Sequence, residues 1–412
     1  MPSKIFILTT AVLFLGACGQ QDDNATGAAG TDTGTMAQQI AKTAVIVDTH
    51  IDVPYRLEKT PADVSKASET GDFDYPRGVA GGLNAAFMSI YTPAELESEG
   101  RSKEVAVELI DRVGSLVQSA PDKFAIARSV ADVRTQFEAG LMSMPMGMEN
   151  GSPLEGNLDN LQFFHDKGIR YITLTHSLSN HLSDSSYDEN RQWQGLSDFG
   201  KEVVREMNQL GIMVDVSHVS DEAFWQVLEI SQTPVIASHS SARHFTPGFE
   251  RNMSDEMIVA LARNGGVIQI NFGSTFVSQV SRDYGDARTE ARKQYLMEHP
   301  TLKEDDIYES FAASYAEVNG SLPYASLDDV LDHFDHVVDL VGVDHLGIGS
   351  DFDGVGDSLP TGLKDVSDYP NLVQGLLERG YREEQIRKIL GENLLRVWQT
   401  VEDYAETTSS KT

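Results

Sequence analysis

Two side chains that commonly bind metals lie two positions apart near the amino end of the sequence. His50 and Asp52 close the stretch VIVDTHIDV (45–53), directly after an apolar run. In an extended chain, residues i and i+2 point to the same side, so the imidazole and the carboxylate can reach one metal ion. Taken alone, such a pair is more often a strand cap or a hydrogen-bonded structural group than a pair of ligands. The pair therefore needs support from the rest of the chain.

The same pattern, an apolar run that ends in an ionisable side chain, recurs at five later positions. These are Glu149 after LMSMPMGM, His176 after RYITLT, His218 after IMVDVS, His239 after PVIAS and Asp351 after HLGIGS. Three histidines and two carboxylates can hold two zinc-like ions if one carboxylate bridges them. That set is His50, Asp52, Glu149, His218 and His239. Imidazole and carboxylate without thiolate favour zinc, with manganese or cobalt as alternatives.

Short β-branched runs that alternate with helical patterns could position these side chains. Eight candidate strands are Ala44–Asp48, Ala85–Tyr91, Met144–Glu149, Tyr171–Thr175, Met213–Ser217, Val235–Ser238, Gly266–Asn271 and Leu346–Ser350. Intervening segments such as 197–211 have apolar spacing near 3.6 and a serine that can cap the helix. The alternation predicts an α/β fold, a (β/α)8 TIM barrel, in which site residues follow the strands. Extra helices are expected within 92–143 and a helical excursion within 273–326.

The acidic composition narrows the possible partners. The chain has 63 Asp and Glu against 32 Lys and Arg, a formal net charge of −31 at pH 7. This charge repels a phosphate backbone and no basic stripe offsets it, so we exclude nucleic acid as a partner. With 412 residues, 40% of them hydrophobic, the chain can fill the core of one large domain or two ordinary ones.

The amino terminus has the pattern of an export signal. The apolar run from Ile5 to Leu15 is too short to span a bilayer and follows a single lysine. LGAC (15–18) resembles a bacterial lipobox, which predicts lipidation of Cys18; an ordinary signal peptide with a chance cysteine is the alternative. Gly19 favours the outer membrane, facing the periplasm. The predicted domains are a signal peptide (1–17), a flexible tether (18–40), the barrel (41–405) and a disordered tail (406–412).

Seven motifs together resemble one family. VDTHIDV, GGLNAAFMSIY, GIRYITLTHS, VDVSHVS, PVIASHSSAR, ERNMSDE and GVDHLGIGSDFDGV are similar, in order, to the motifs of the membrane (renal-type) dipeptidases, which are zinc peptidases. The resemblance extends from about residue 44 to GENLLRVWQ (391–399). It implies a metallo-dipeptidase with two Zn²⁺ ions per chain. His50 and Asp52 would hold one ion, His218 and His239 the other, and Glu149 would bridge them.

The resemblance also implies roles around the metals. His176, Arg251 and Asn252 are expected to bind the dipeptide substrate and Asp351 to transfer a proton, and the chain is expected to form a homodimer. The roles fit the residue types: Asp351 can take a proton from the metal-bound water, and His176 can stabilise the oxyanion. Arg251 offers a planar fork to a C-terminal carboxylate; its alternative is a surface pair with Glu250 or Asp255. Dipeptides with a C-terminal D-residue are an open part of the substrate prediction.

Two other functions stay open from the sequence. A related amidohydrolase would cleave N-acyl amino acids, lactams or lactones with the same barrel. A solute-binding lipoprotein would use an inactive barrel without catalysis. Outside the predicted site, His333 and His336 precede strand eight and are expected to be surface residues on the far side of the barrel, and His244 has no assigned role.

Overall fold

Eight parallel strands close into a barrel in the computed structural model, which describes residues 32–302 and 304–409. The strands of the sheet are β1 Ile46–Ile51, β2 Leu83–Tyr91, β3 Phe124–Ala125, β4 Met142–Ser143, β5 Met146–Glu149, β6 Ile169–Thr173, β7 Met213–Asp215, β8 Ile236–Ala237, β9 Val267–Ile270 and β10 Leu346–Ile348. β1 pairs with β2, β2 with β5, and the order then follows the chain to β10, which pairs with β1. Each predicted strand overlaps one barrel strand, and the (β/α)8 prediction is confirmed.

Helices alternate with the strands and form the outer layer. They are α1 Thr33–Thr43, α2 Val53–Lys59, α3 Tyr75–Gly81, α4 Glu95–Glu99, α5 Ser102–Ser119, α6 Val130–Glu138, α7 Asp159–Lys167, α8 Asp198–Leu210, α9 Asp221–Ile230, α10 Asp255–Arg263, α11 Ser274–Val277, α12 Gln279–Glu298, α13 Glu304–Asn319, α14 Leu327–Val341, α15 Tyr369–Glu378, α16 Glu383–Arg387 and α17 Asn393–Ser409. Short 3-10 turns cover Ser152–Leu154, Arg243–Phe245 and Val343–His345, and a π segment, Lys388–Glu392, joins α16 to α17. None of the helices in the described part of the chain is long and apolar enough to cross a membrane.

The ends of the domain differ from the prediction. The predicted signal peptide, Cys18 and residues 19–31 of the tether lie outside the described residues. From Thr33 onward the predicted flexible tether is instead helical, and α1 buries Ala37, Ile40 and Ala41 against the domain. At the other end, α17 continues to Ser409, so the predicted tail is helical over 406–409. In the middle, β3 and β4 are a short unpredicted extension of the sheet, attached to β2.

The interior of the barrel is filled by large side chains from strands and from the last helix. Phe87 of β2 contacts Tyr171 of β6 and Trp398 of α17, each at 5.3 Å between ring centroids. Gly147 of β5 makes this packing possible, since a Cβ atom there would lie 1.9 Å from the Tyr171 ring. The filled interior leaves the carboxyl ends of the strands as the place where polar side chains can meet.

His333 is a buried structural residue, which corrects the expectation of a surface position. Its Nδ1 accepts a hydrogen bond from the Ala242 N–H at 3.0 Å, and its Nε2–H donates to the Val277 carbonyl at 3.1 Å. His333 thus joins α14 to the loop after β8 and to α11, on the side where the strands end. Burial lowers its pKa to about 4, so the ring is neutral and both nitrogens serve the backbone.

The buried His333 predicts a loss of stability in acid. Its folded pKa lies below the ordinary value of 6.5, so the unfolded chain takes up the proton first, and stability present above pH 6.5 is lost as the pH falls towards 4. The whole shift corresponds to roughly 3 kcal/mol. Denaturant unfolding of the wild type and of His333→Asn should show a variant that is less stable above pH 6.5, with a gap that narrows near pH 4. A gap that is constant with pH would contradict the role of His333.

Candidate metal centre

The carboxylate of Glu149 lies at the centre of the predicted site. Its Oε2 is 3.2 Å from Nε2 of His50, while its Oε1 is 3.1 Å from Nε2 of His218 and 3.3 Å from Nε2 of His239. Glu149 is 4% exposed, and Ser89 donates a hydrogen bond to Oε2 at 3.1 Å. One carboxylate therefore presents one oxygen to His50 and the other to the pair of histidines, which is the arrangement a bridging ligand requires.

The orientation of His50 is set from within the barrel. The Tyr171 hydroxyl lies 2.9 Å from Nδ1 of His50 and donates to the Thr49 carbonyl at 3.0 Å. Because the tyrosine has a single proton and the carbonyl only accepts, Nδ1 of His50 must carry a proton that it donates to Tyr171. Nε2 then faces Asp52 at 3.4 Å and Glu149, and it makes no hydrogen bond to any described residue. A buried nitrogen aimed between two carboxylates fits a cation at their common focus.

His239 has the same kind of support. Ser238 donates its hydroxyl proton to Asp215 at 2.6 Å, so the 2.8 Å contact from Ser238 Oγ to Nδ1 of His239 is donated by the imidazole. Nε2 of His239 is left as a lone pair. It lies 2.9 Å from Nε2 of His218, and both nitrogens face Glu149. Two histidines with a carboxylate oxygen fit a second ion, so the donor set of the whole site fits two.

Electrostatics in the site agree with this assignment. Burial disfavours ionised Glu149, but the surrounding histidines, His50 first, hold its pKa well below the usual range. Burial also disfavours protonated His50, yet Tyr171, Glu149 and Asp52 raise its pKa well above 6.5. Burial holds the pKa of His218 and His239 well below 6.5. The site thus demands positive charge beside the carboxylates, supplied by the proton of His50 or by a metal ion in its place.

Backbone geometry aims three of these side chains at the mouth of the barrel. His218 (φ 69°) and Asp351 (φ 64°) are in the left-handed region, which bulky residues adopt at a cost of about 1–3 kcal/mol and mostly at functional sites. Asp52 is at the N-cap of α2, but its side chain accepts no hydrogen bond from that helix. Asp52 therefore does not cap α2. Gly354 leaves space for both acids, since a Cβ there would lie 2.2 Å from Asp351 and 2.3 Å from Asp52.

Asp351 and His176 flank the ligands. Asp351 accepts a hydrogen bond from the Asn271 amide at 2.7 Å, and burial together with the charge of Asp52 raises its pKa to about 7 against an opposing effect of His50. His176 lies with Nε2 3.5 Å from Glu149 Oε1, and burial lowers its pKa, so the ring is neutral and can donate a proton in a hydrogen bond. Both residues follow the carboxyl ends of barrel strands, β6 for His176 and β10 for Asp351, and their catalytic roles stay predictions.

Arg251 is buried beside the histidines rather than paired on the surface. It is 3% exposed and donates to Ser240 Oγ and to the His239 carbonyl, both at 2.7 Å. Its Nε makes no hydrogen bond within the described part of the chain. Asn252 is also buried, but its side-chain amide is used within the loop. It accepts a hydrogen bond from the Ser241 N–H and donates to the Thr246 hydroxyl and the Phe276 carbonyl. A substrate contact of Asn252 stays a prediction.

Three positioning residues are absent from the sequence-based prediction. Tyr171 orients His50, Asp215 orients His239 through Ser238, and Asp48 accepts hydrogen bonds from the backbone N–H of His50 and Ser350 at 3.1 and 3.0 Å. Asp48 and Asp215 did leave a signal, because each is an acid inside an apolar strand run, two or three residues before a histidine. Tyr171 left none, since an aromatic residue in a strand usually indicates core packing.

Comparisons with known proteins agree with this architecture. The model of the membrane dipeptidase family (peptidase family M19) matches residues 35–412. The chain is similar to the probable dipeptidase PvdM from Pseudomonas aeruginosa, with 27% identity, a TM-score of 0.80, and coverage of 90% of this chain and 99% of that one. It is also similar to a metallo peptidase from Rhodobacter sphaeroides liganded with a phosphinate mimic of L-Ala-D-Ala, with 26% identity, a TM-score of 0.71, and coverage of 87% and 99%.

Tyr171→Phe tests the orientation of His50. Without the hydroxyl, Nδ1 of His50 loses its partner and the ring is free to turn, so affinity for the ion at His50 should fall about 10- to 100-fold. Competition with a chromogenic chelator measures the affinity. Tyr284→Phe is the matched control, since the Tyr284 hydroxyl only donates to the exposed Gly320 carbonyl. Equal affinities of Tyr171→Phe and the control would refute the role of Tyr171.

Proposed function

Since this chain belongs to the membrane dipeptidase family and is a metallo-dipeptidase, we propose that it uses two zinc ions to hydrolyse the peptide bond of dipeptides. The observation that carries the proposal is Glu149, whose two oxygens face histidines from different strands. Histidine and carboxylate donors without a thiolate suit zinc. His50 and Asp52 would hold one ion, His218 and His239 the other, and Glu149 both.

In this proposal the chain handles the proton of the attacking water through Asp351. When bound, the zinc ions supply Lewis acidity and make a coordinated water acidic near neutral pH. Asp351 has a pKa of about 7, suited to accept that proton and to release it to the departing amine. Asn271 holds its carboxylate in place. Neutral His176 can donate a hydrogen bond to the oxyanion of the tetrahedral intermediate.

Arg251 is proposed to bind the free carboxylate of the dipeptide. Two of its five N–H groups are used by Ser240 and His239, which leaves Nε and two others for an anion. A buried guanidinium must find a counter-charge, and a substrate carboxylate supplies it. Its position beside His239 would limit the substrate to very short peptides. A C-terminal D-residue is part of the proposal, supported by the phosphinate mimic of L-Ala-D-Ala bound to the Rhodobacter sphaeroides neighbour.

We further propose that Cys18 carries a lipid that anchors the chain to the cell envelope, at the outer membrane facing the periplasm. The support is the LGAC sequence and the apolar run before it. The resemblance to the family supports a homodimer. Cys18→Ser should release the protein from the membrane fraction of the native host and abolish incorporation of a labelled fatty acid. Membrane retention of the variant would overturn the anchor.

The activity itself is tested on zinc-loaded purified protein with L-L and L-D dipeptides beside N-acyl amino acids, lactams and lactones. We expect turnover of dipeptides with release of both amino acids. Turnover only of the blocked or cyclic substrates would favour the related amidohydrolase. Protein that takes up no zinc during loading and turns over none of these substrates would favour the solute-binding alternative.

Asp351→Asn tests the proton transfer. The amide keeps the size of the carboxylate and can still accept the Asn271 hydrogen bond, but it cannot take up a proton. We expect kcat to fall about 10²- to 10⁴-fold with the zinc content unchanged. Asp357→Asn is the matched control, because Asp357 lies in the same loop but accepts a hydrogen bond from Tyr324. A kcat within a factor of about two of wild type would remove Asp351 from the mechanism.

Arg251→Lys tests the carboxylate contact. The wild type should prefer a dipeptide over the matching dipeptide amide, because the amide cannot form the charged hydrogen bonds. Lysine keeps the charge but loses the planar fork, so KM for the dipeptide should rise roughly 10- to 100-fold and the preference should shrink. Steady-state kinetics with both substrates measure this. An unchanged preference for the free acid would place the contact elsewhere.

A further inference from the structure

A second group of metal-ligating side chains lies in the helical layer and shares no residue with the metal centre. His244, Asp255 and His336 each offer one ligand atom, and the three atoms lie within 4.8 Å of one another. They come from three different elements: the 3-10 turn Arg243–Phe245, the first residue of α10, and α14. No helix propensity or capping rule requires two histidines and an acid to meet there.

The contacts within this surface triad bring its donor atoms close together at a position that solvent reaches. Nε2 of His336 lies 2.8 Å from Asp255 Oδ1, and the rings of His244 and His336 stack at 4.4 Å between centroids. The Asp255 side chain is 41% exposed, so the carboxylate is open to solvent. His244 is exposed and makes no hydrogen bond to the described residues, so its ring can turn to present either nitrogen. An ion can therefore enter from solvent without passing the barrel mouth.

The neighbouring His333 is excluded as a fourth ligand. Both of its nitrogens are engaged by the backbone of Ala242 and Val277. The ring of Phe245 contacts both histidines, with ring centroids 4.4 Å from His333 and 5.6 Å from His336. The surface triad thus offers two imidazoles and one carboxylate, with the remaining positions left to water. This donor set suits divalent transition-metal ions, and not Ca²⁺ or Mg²⁺, which prefer oxygen ligands.

We propose that the surface triad binds one divalent transition-metal ion and that this ion holds the Arg243–Phe245 turn against α10 and α14. The turn lies between His239 and Arg251, so the segment that it stabilises carries a metal-centre residue at one end and the proposed carboxylate-binding residue at the other. Arg243 already ties the turn to Asp221 of α9 by hydrogen bonds of 2.6 and 2.7 Å. The ion would attach the same turn to α10 and α14 as well.

The experiment counts zinc in the full chain. Wild type and His244→Ala are dialysed against the same buffered free Zn²⁺ and analysed for zinc per chain by atomic emission. We expect the variant to hold one ion fewer. His299→Ala is the matched control: its histidine is also exposed, but its only hydrogen bond is to the Tyr295 carbonyl. Asp255→Asn, which keeps the side-chain size, should also lose one ion.

The count is made independent of the catalytic ions by repeating it in a Glu149→Gln background. If the metal centre does not hold two zinc ions, the total number of zinc ions per chain changes. His244→Ala should still hold one ion fewer than its parent. Added Zn²⁺ should also raise the melting temperature of the wild type by about 1–3 °C more than that of His244→Ala. Equal zinc contents in wild type and His244→Ala, or the same loss in His299→Ala, would overturn the surface site.

Discussion

The site depends on one buried carboxylate that must remain ionised. Glu149 is almost inaccessible to solvent, and burial of an uncompensated carboxylate is costly. His50, His218 and His239 surround it from three other strands, and the surrounding histidines, His50 first, hold its pKa low. In turn, Glu149 holds these rings at a common distance of 3.1–3.3 Å. The closed barrel is what makes this mutual compensation possible, because it brings strand ends that are far apart in sequence to one mouth.

A second set of buried groups decides which ring nitrogen His50 and His239 present within this cluster. An imidazole can present either nitrogen, and the choice depends on what its other nitrogen contacts. Tyr171 makes that choice for His50, and Ser238 with Asp215 makes it for His239. The Tyr171 ring belongs to the packed interior of the barrel. It fits there because Gly147 has no side chain. The packing of the barrel interior and the chemistry of its mouth are therefore coupled.

The loop after β8 links the site to the outer helices. It contains His239, Arg251 and the turn with His244, and His333 fixes its start from α14. His333, which the sequence predicts to be a surface residue, is therefore buried and hydrogen-bonded to this loop. His336, three residues later, belongs to the surface triad. Helical spacing could not predict that His333 is buried and His336 is not. The two residues lie at i and i+3 on the same face of α14, and only their neighbours in the fold differ.

The eight barrel strands, the barrel class and the side chains at the strand ends could be predicted from the sequence, because hydrophobic periodicity and strand-end position are local properties. The family motifs added the expected metal pairs. Three features emerge only from the fold. They are the nitrogen of His50 that faces the carboxylates, the lack of a helix cap from Asp52, and the burial of Arg251. These depend on contacts between residues remote in sequence, such as Tyr171 with His50. No local pattern encodes such contacts, since they exist only after the barrel closes.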